Sequence, residues 1–206
     1  MRKIITIQHP QSIQHTNGMI GSWTDWDLTE LGIEQAKRIG ERLSQEIKNE
    51  QYVMYSSDLL RTKHTAEIIA EYLENEPILT DALREFNFGE AVGKSKEWAL
   101  KNTKVKTFPD WKTIDEKPFI GSESKREVWN RLLGFYHKIM ANTENNLIII
   151  SHSGTLSIFY ALWLELSVEM LNKCDLCSDS GGVSFMHENS DGKRIINRLN
   201  DLSYIR

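Results

Sequence analysis

Apolar residues gather in short runs separated by longer polar stretches. Ile4-Ile5-Thr6-Ile7 and Leu147-Ile148-Ile149-Ile150 are continuous and β-branched, which predicts strands over 3–7 and 147–151 covered on both faces. Tyr52-Val53-Met54-Tyr55 is a third such run. Two more, 182–188 and 194–199, flank Asp191-Gly192 and read as a hairpin. Between the runs the period changes from strand-like to helical. Ala36, Ile39, Leu43 and Ile47 predict an amphipathic helix over 30–48, with Thr29 as its N-cap and Glu30 favoured in its first turn. Thr62, Ala66, Ile69 and Leu73 mark a second helix, entered through the turn Ser56-Ser57-Asp58. Val128, Leu132, Phe135 and Ile139 mark a third, opened by the capping box Ser124-Lys125-Arg126-Glu127. An apolar helix runs from Gly154 to about Leu166. Strand, loop and helix in repetition specify an α/β sheet.

Two stretches resist this pattern. Residues 11–28 form a long polar loop with Gly18, Gly21, Trp23 and Trp26, and loops of that length are often functional. Residues 77–121 are irregular and contain Pro77, Pro109 and Pro118. The part from about 90 to 121 reads as a small lid or cap, and its tryptophans, Trp98 and Trp111, read as packing residues.

Composition narrows the classes. A chain of 206 residues suits one domain spanning 1–206, at most with the lid inserted. A net charge of −4 argues against a broad nucleic-acid surface. No apolar run is long enough to cross a membrane. The start of the chain lacks the pattern of a signal peptide, so a cytoplasmic location is the expectation. Cys174 and Cys177 are spaced like a redox or half-zinc motif. No second pair completes a zinc site, and two reduced loop thiols are the reading. Oligomeric state is not legible.

The chemistry lies at strand ends. In open α/β sheets ligands bind beyond the carboxyl ends of the strands. His9 ends the first strand before Pro10, His152 ends the strand at 147–151, and Ser56, with Arg61 just beyond, follows the strand at 52–55. Two imidazoles, a guanidinium and two helix N-termini around one crevice suit an anion, most naturally a phosphoryl group. Arg61 and His64, three apart, share a helix face. Four histidines (9, 15, 64 and 152) raise the question of a metal. No His-x-His or His-Glu-x-x-His spacing occurs, so no metal and no cofactor are expected.

These segments together resemble the histidine phosphatase superfamily, the phosphoglycerate-mutase-like fold, over almost the whole chain. The resemblance rests on Gln8-His9-Pro10-Gln11-Ser12, on Gly21 to Gly32, on Ser56-Ser57-Asp58-Leu59-Leu60-Arg61 through Ala66, on Leu83 to Gly89, and on Ser151-His152-Ser153-Gly154, in that order. It implies a three-layer α/β/α sandwich around a mostly parallel sheet. It implies hydrolysis of small phosphomonoesters through a phosphohistidine, with His9 as nucleophile, Glu85 as general acid and base, and Arg61 and His152 holding the phosphoryl oxygens. Gln8, Ser12, His15 and Ser153 join Arg61 as candidates for binding phosphate or substrate. The chain departs from the family at Gln8, where an arginine is usual, at Pro10 and Ser153, where glycines are, and at His15, where an asparagine is common. Two alternatives follow: a phosphoglycerate-type mutase, disfavoured by a chain short for that branch, and a weak or inactive relative that binds a phosphorylated ligand.

Overall fold

The computed structural model describes residues 2–109, 113–141 and 146–206. Its centre is a six-stranded sheet of β1 (Lys3–Gln8), β2 (Tyr52–Ser57), β3 (Ile78–Thr80), β4 (Asn146–Ser151), β5 (Val183–Glu188) and β6 (Arg194–Asp201). The spatial order is β3-β2-β4-β1-β5-β6. The first four strands in the chain pair in parallel, and β5 runs antiparallel to both β1 and β6. The sheet is therefore mostly parallel, as the sequence predicts.

Side-chain alternation in the two central strands makes the three layers. Ile4, Leu147 and Ile149 face α5 (Lys125–Ala141) and α6 (Ser153–Trp163). Ile5, Ile7, Ile148 and Ile150 face α2 (Glu30–Glu46) and α3 (Leu60–Leu73). Each of these side chains is at most 2% exposed, and burying one contributes roughly 1.5–3 kcal/mol.

The helix ends carry the caps that the sequence announces. Thr29 Oγ1 accepts from Gly32 N at 3.1 Å at the start of α2. Ser124 and Glu127 exchange both bonds of their box, at 3.2 and 2.9 Å, at the start of α5. Gly32 is required for contact: a Cβ there would meet Gln11 O at 1.9 Å, so its absence lets α2 pack on the chain that leaves β1. The turn before α3 has no cap of its own. Asp25, from the long loop, accepts from Leu60 N at 3.0 Å instead.

Four details differ from the sequence reading. A four-residue helix, α1 (Ile13–Thr16), stands in the long loop. The irregular stretch holds the edge strand β3 and the helix α4 (Lys96–Asn102). The helix after Gly154 stops at Trp163 rather than near Leu166, because Glu165 turns left-handed at φ +56°. β6 runs on to Asp201. Ala91, Ala99 and Phe119 form a small core with Trp98, which stacks on Phe119 at 6.2 Å, so Trp98 packs as expected. Trp111 lies outside the described residues.

Candidate active site

Strand register builds the site. Gln8 of β1 pairs with Ser151 of β4, so His9 and His152 leave adjacent central strands side by side. Ser56 of β2 pairs with Ile150, which brings Ser57 alongside as well. The two imidazoles meet edge to face, with centroids 5.2 Å apart. Arg61, in the first turn of α3, reaches both: its Nε donates to His9 Nε2 at 3.2 Å and its Nη2 to His152 Nδ1 at 3.1 Å.

These bonds fix the tautomers. A carbonyl can only accept, so His9 Nδ1 carries the proton that it gives to Pro10 O at 2.9 Å, and Nε2 keeps a lone pair. A guanidinium can only donate, so His152 Nδ1 is the acceptor and its Nε2–H donates to Ser57 Oγ at 3.0 Å. Burial, the Arg61 charge and the neighbouring His15 hold the His9 pKa well below the ordinary imidazole range. Burial, Arg61, His9 and Arg131 do the same to His152. Burial also lowers Arg61, to about 10, which leaves it charged at neutral pH.

The long loop is the wall that holds Arg61. Ser22 O and Thr24 O accept from its Nη2 and Nη1 at 2.8 and 3.1 Å. Asp27 Oδ1 pairs with His64 Nδ1 at 2.8 Å, so the shared face of Arg61 and His64 is the face that meets this loop. His15 closes the cap of α1: its Nδ1 accepts from Ser12 N at 3.0 Å, and its ring stacks on His9 at 5.5 Å.

Glu85 sits on a segment whose carbonyls are held from β4, from α6 and from the long loop. Ser151 Oγ donates to Leu83 O, Thr155 Oγ1 to Arg84 O, Trp23 Nε1 to Glu85 O and Ser22 Oγ to Phe86 O, at 2.6–2.7 Å. Arg131 of α5 adds bonds to the carbonyls of Ala82, Arg84 and Glu85 at 2.8, 3.0 and 3.3 Å. The Glu85 carboxylate accepts from Phe86 N at 3.0 Å and Gly154 N at 3.3 Å. Gly154 is needed here, since a Cβ would come 2.7 Å from Glu85 Oε1. Burial raises the Glu85 pKa, outweighing the two N–H donors and the Arg61 and Arg131 charges.

The other predicted residues divide. Gln8 is 5% exposed and its Oε1 is without a partner. Ser12 turns its hydroxyl to His15 Nδ1, and Ser153 gives its hydroxyl to Ser178 O at 2.9 Å. Arg84 precedes Glu85 in the chain and so stands where a cation could replace the charge that Gln8 lacks, but it is bidentate on Asp58 at 2.7 and 2.6 Å and lies over Trp23. Ser57, Ser22, Thr24, Trp23 and Arg131 belong to the site's framework, and the sequence reading does not single them out for it. Cys174 and Cys177 are free.

A cleft of about 610 Å³ opens at this end of the sheet. Glu85, Ser22, Gly154 and Gln14 line it. The rings of His9 and His152 lie behind, 2% and 1% exposed.

The family model of the histidine phosphatase superfamily (branch 1) matches residues 4–202. The chain belongs to the histidine phosphatase superfamily. Phosphoserine phosphatase 1 of Hydrogenobacter thermophilus is 30% identical over 206 residues, covering 97% of this chain and 92% of that protein. The 2,3-bisphosphoglycerate-dependent phosphoglycerate mutase of Nitrobacter hamburgensis is 26% identical, covering 86% of this chain and 88% of that protein. Among solved structures, Bacillus stearothermophilus YhfR superposes with a TM-score of 0.82 at 22% identity, over the whole of both chains. Superfamily members named as mutases thus match in length, and the chain's length does not argue against that branch. Among the described residues no helix is long and apolar enough to cross a membrane.

The buried neutral imidazoles have a consequence for folding. With folded-state pKa values below the unfolded value near 6.5, they cost nothing at neutral pH. As pH falls through about 6.5 the unfolded chain takes up protons that His9 and His152 refuse. Stability is then expected to fall with decreasing pH by up to about 1.4 kcal/mol per pH unit for each histidine. Urea denaturation from pH 7 to 5 checks this, and a double His9→Asn, His152→Asn variant flattens the dependence.

Proposed function

We propose that the protein hydrolyses small phosphomonoesters through a phosphohistidine on His9. The observation that carries this reading is the His9 tautomer: Nδ1–H is committed to Pro10 O, and the unprotonated Nε2 lies beside Arg61 and His152. Arg61 exchanges its bond to Nε2 for bonds to the phosphoryl oxygens. Nε2 then bonds to phosphorus as the bond to the ester oxygen breaks, and Glu85 gives that oxygen its proton. Water next attacks phosphorus, Glu85 takes its proton, and the N–P bond breaks to release phosphate. The step needs no metal. His152 is neutral and helps hold Arg61 and the phosphoryl group in place. The described residues of the segment, 90–109 and 113–121, are the proposed lid, with Pro109 lining the cleft, and the cytoplasm is the proposed location.

A screen over phosphomonoesters that reads inorganic phosphate tests the reading. Absence of release from every ester tried overturns it. Release only into an acceptor phosphoglycerate, after priming with 2,3-bisphosphoglycerate, assigns the mutase reaction instead.

Gln8 favours a second reading, a weakly active binder of phosphorylated ligands. The register puts Gln8 on the same face of β1 as Thr6, whose hydroxyl meets Tyr160 of α6 at 2.7 Å. Gln8 adjoins His9 in the chain, and its amide brings no charge to the proposed phosphoryl site. Losing one positioned donor to a transition-state oxygen costs roughly 10²–10³ in rate. Gln8→Arg is therefore expected to raise the rate and to tighten inhibition by phosphate or vanadate at least tenfold. If neither changes, Gln8 is not at the phosphate.

A further inference from the structure

The segment that carries Glu85 is gripped by one ion pair. Arg131 Nη1 donates to Ala82 O and Arg84 O at 2.8 and 3.0 Å, with a longer contact to Asp81 O at 3.4 Å. Its Nη2 donates to Glu85 O at 3.3 Å and to Glu123 Oε2 at 3.1 Å, and its Nε to Glu123 Oε1 at 3.0 Å. A guanidinium has five N–H donors, and these bonds occupy all of them. Glu123 holds the end of the same segment: its Oε2 accepts from Asn87 N at 2.8 Å, and its own N–H donates to Asn87 O at 2.8 Å. The pair therefore spans residues 81–87, with Glu85 between its contacts. Both side chains are 19% exposed.

A guanidinium with no spare N–H does not bind a substrate, so its role lies in what it holds. Glu85 must give a proton to the leaving oxygen and later take one from water. A misplacement of about 1 Å at a reacting group can cost on the order of 10²-fold in rate. Among the described residues, hydrogen bonds to the carboxyl come from Phe86 N and Gly154 N alone, so its place depends on the backbone that carries it. This part rests on the phosphatase reading.

We propose that Arg131, clamped by Glu123, is a positioning residue that sets the place of the Glu85 carboxyl for both proton transfers. It acts through the backbone at 82–85 and through its charge. Burial raises the Glu85 pKa, and Phe86 N–H, Arg61 of α3, Gly154 N–H and Arg131 of α5 oppose the rise. Arg131 thus restrains the carboxyl from holding its proton too firmly, and a group that serves as both acid and base needs that restraint.

The test compares Arg131→Gln and Arg131→Lys with the wild-type protein, using an alkyl phosphate and an aryl phosphate whose phenoxide leaves unaided. In Arg131→Gln the alkyl ester is expected to lose roughly 10- to 100-fold in kcat and kcat/KM alike, with KM little changed, while the aryl ester keeps most of its kcat/KM. NMR of an isotope-labelled Glu85 carboxyl carbon, assigned by its loss in Glu85→Gln, gives the sign of the charge effect. Losing the cation moves the Glu85 titration to higher pH, whereas mere loosening admits water, weakens burial and moves it lower. Arg131→Lys keeps the charge and loses the fork, so its titration is expected near that of the wild type and its kcat between the other two. An unmoved or lowered titration in Arg131→Gln, or equal losses of kcat/KM for alkyl and aryl esters, overturns the proposal. Should Arg131→Gln not fold, Arg131→Lys decides: kcat for the alkyl ester within about twofold of the wild type overturns it. If the wild-type protein hydrolyses no ester and the titration still rises in Arg131→Gln, the action of Arg131 on Glu85 stands and the phosphatase reading falls.

Discussion

Replacing His9 with alanine is expected to lower phosphate release roughly 10⁴-fold or more, and to abolish any acid-labile, base-stable phosphate on the protein after rapid quench with labelled substrate. The size of the effect follows from what His9 alone provides. Among the described site residues, only His9 holds an unprotonated ring nitrogen next to Arg61 with its other nitrogen locked as a donor to a backbone carbonyl. His152 has the opposite tautomer: its Nδ1 is occupied by Arg61 and its Nε2–H by Ser57. It cannot take over the attack without breaking both bonds. Residual turnover above a tenth of the wild-type rate would assign the nucleophile elsewhere. The expected loss resides in kcat, since Arg61 stays anchored to Ser22 O and Thr24 O.

The parts of this arrangement that the sequence reveals are those set by local chemistry. The Thr29 cap, the Ser124–Glu127 capping box, the buried strands and the two histidines at strand ends are written in neighbouring residues, and the structure has them where the pattern puts them. The pairing of Gln8 with Ser151 is a long-range register, which no local pattern encodes. It decides that His9 meets His152 rather than some other loop. Ser22 and Thr24 hold Arg61 through backbone carbonyls, which any residue type supplies, and the Ser22 hydroxyl and Trp23 indole N–H find the Phe86 and Glu85 carbonyls only once the fold brings those chains together. Arg131 looks like any surface arginine of an amphipathic helix until the fold brings the chain at 82–85 against it. The helix α4 is missed because it buries only Ala99 and so leaves no apolar period. Arg84 runs the other way. Its position suggests a spare cation, and Asp58 has already claimed it.

Glu85→Gln is expected to separate substrates by leaving group and to reshape the pH profile. With an alkyl phosphate the departing alkoxide needs a proton, and kcat/KM falls about 10²–10⁴-fold. With an aryl ester whose phenoxide leaves unaided the loss in kcat/KM is small, although kcat still suffers, because the phosphoenzyme has lost its base. The sign of the pH dependence follows from two opposite shifts. His9 must be neutral to attack, and its pKa lies well below the ordinary value of 6.5, so the acid limb moves down. Glu85 must be protonated to donate, and burial places its pKa above the ordinary 4.5, so the basic limb moves up. For alkyl esters in the wild-type protein, kcat/KM therefore falls as pH rises through the Glu85 pKa. That limb is absent in Glu85→Gln and weak for aryl esters in both proteins. A basic limb that survives the substitution would belong to another group, and equal losses for alkyl and aryl esters would mean that Glu85 shapes the site without moving a proton. The amide oxygen can still accept from Phe86 N, while the longer bond from Gly154 N loses its acceptor, so the fold around it should persist at a small cost, and a Tm within a few degrees of wild type keeps the two outcomes apart.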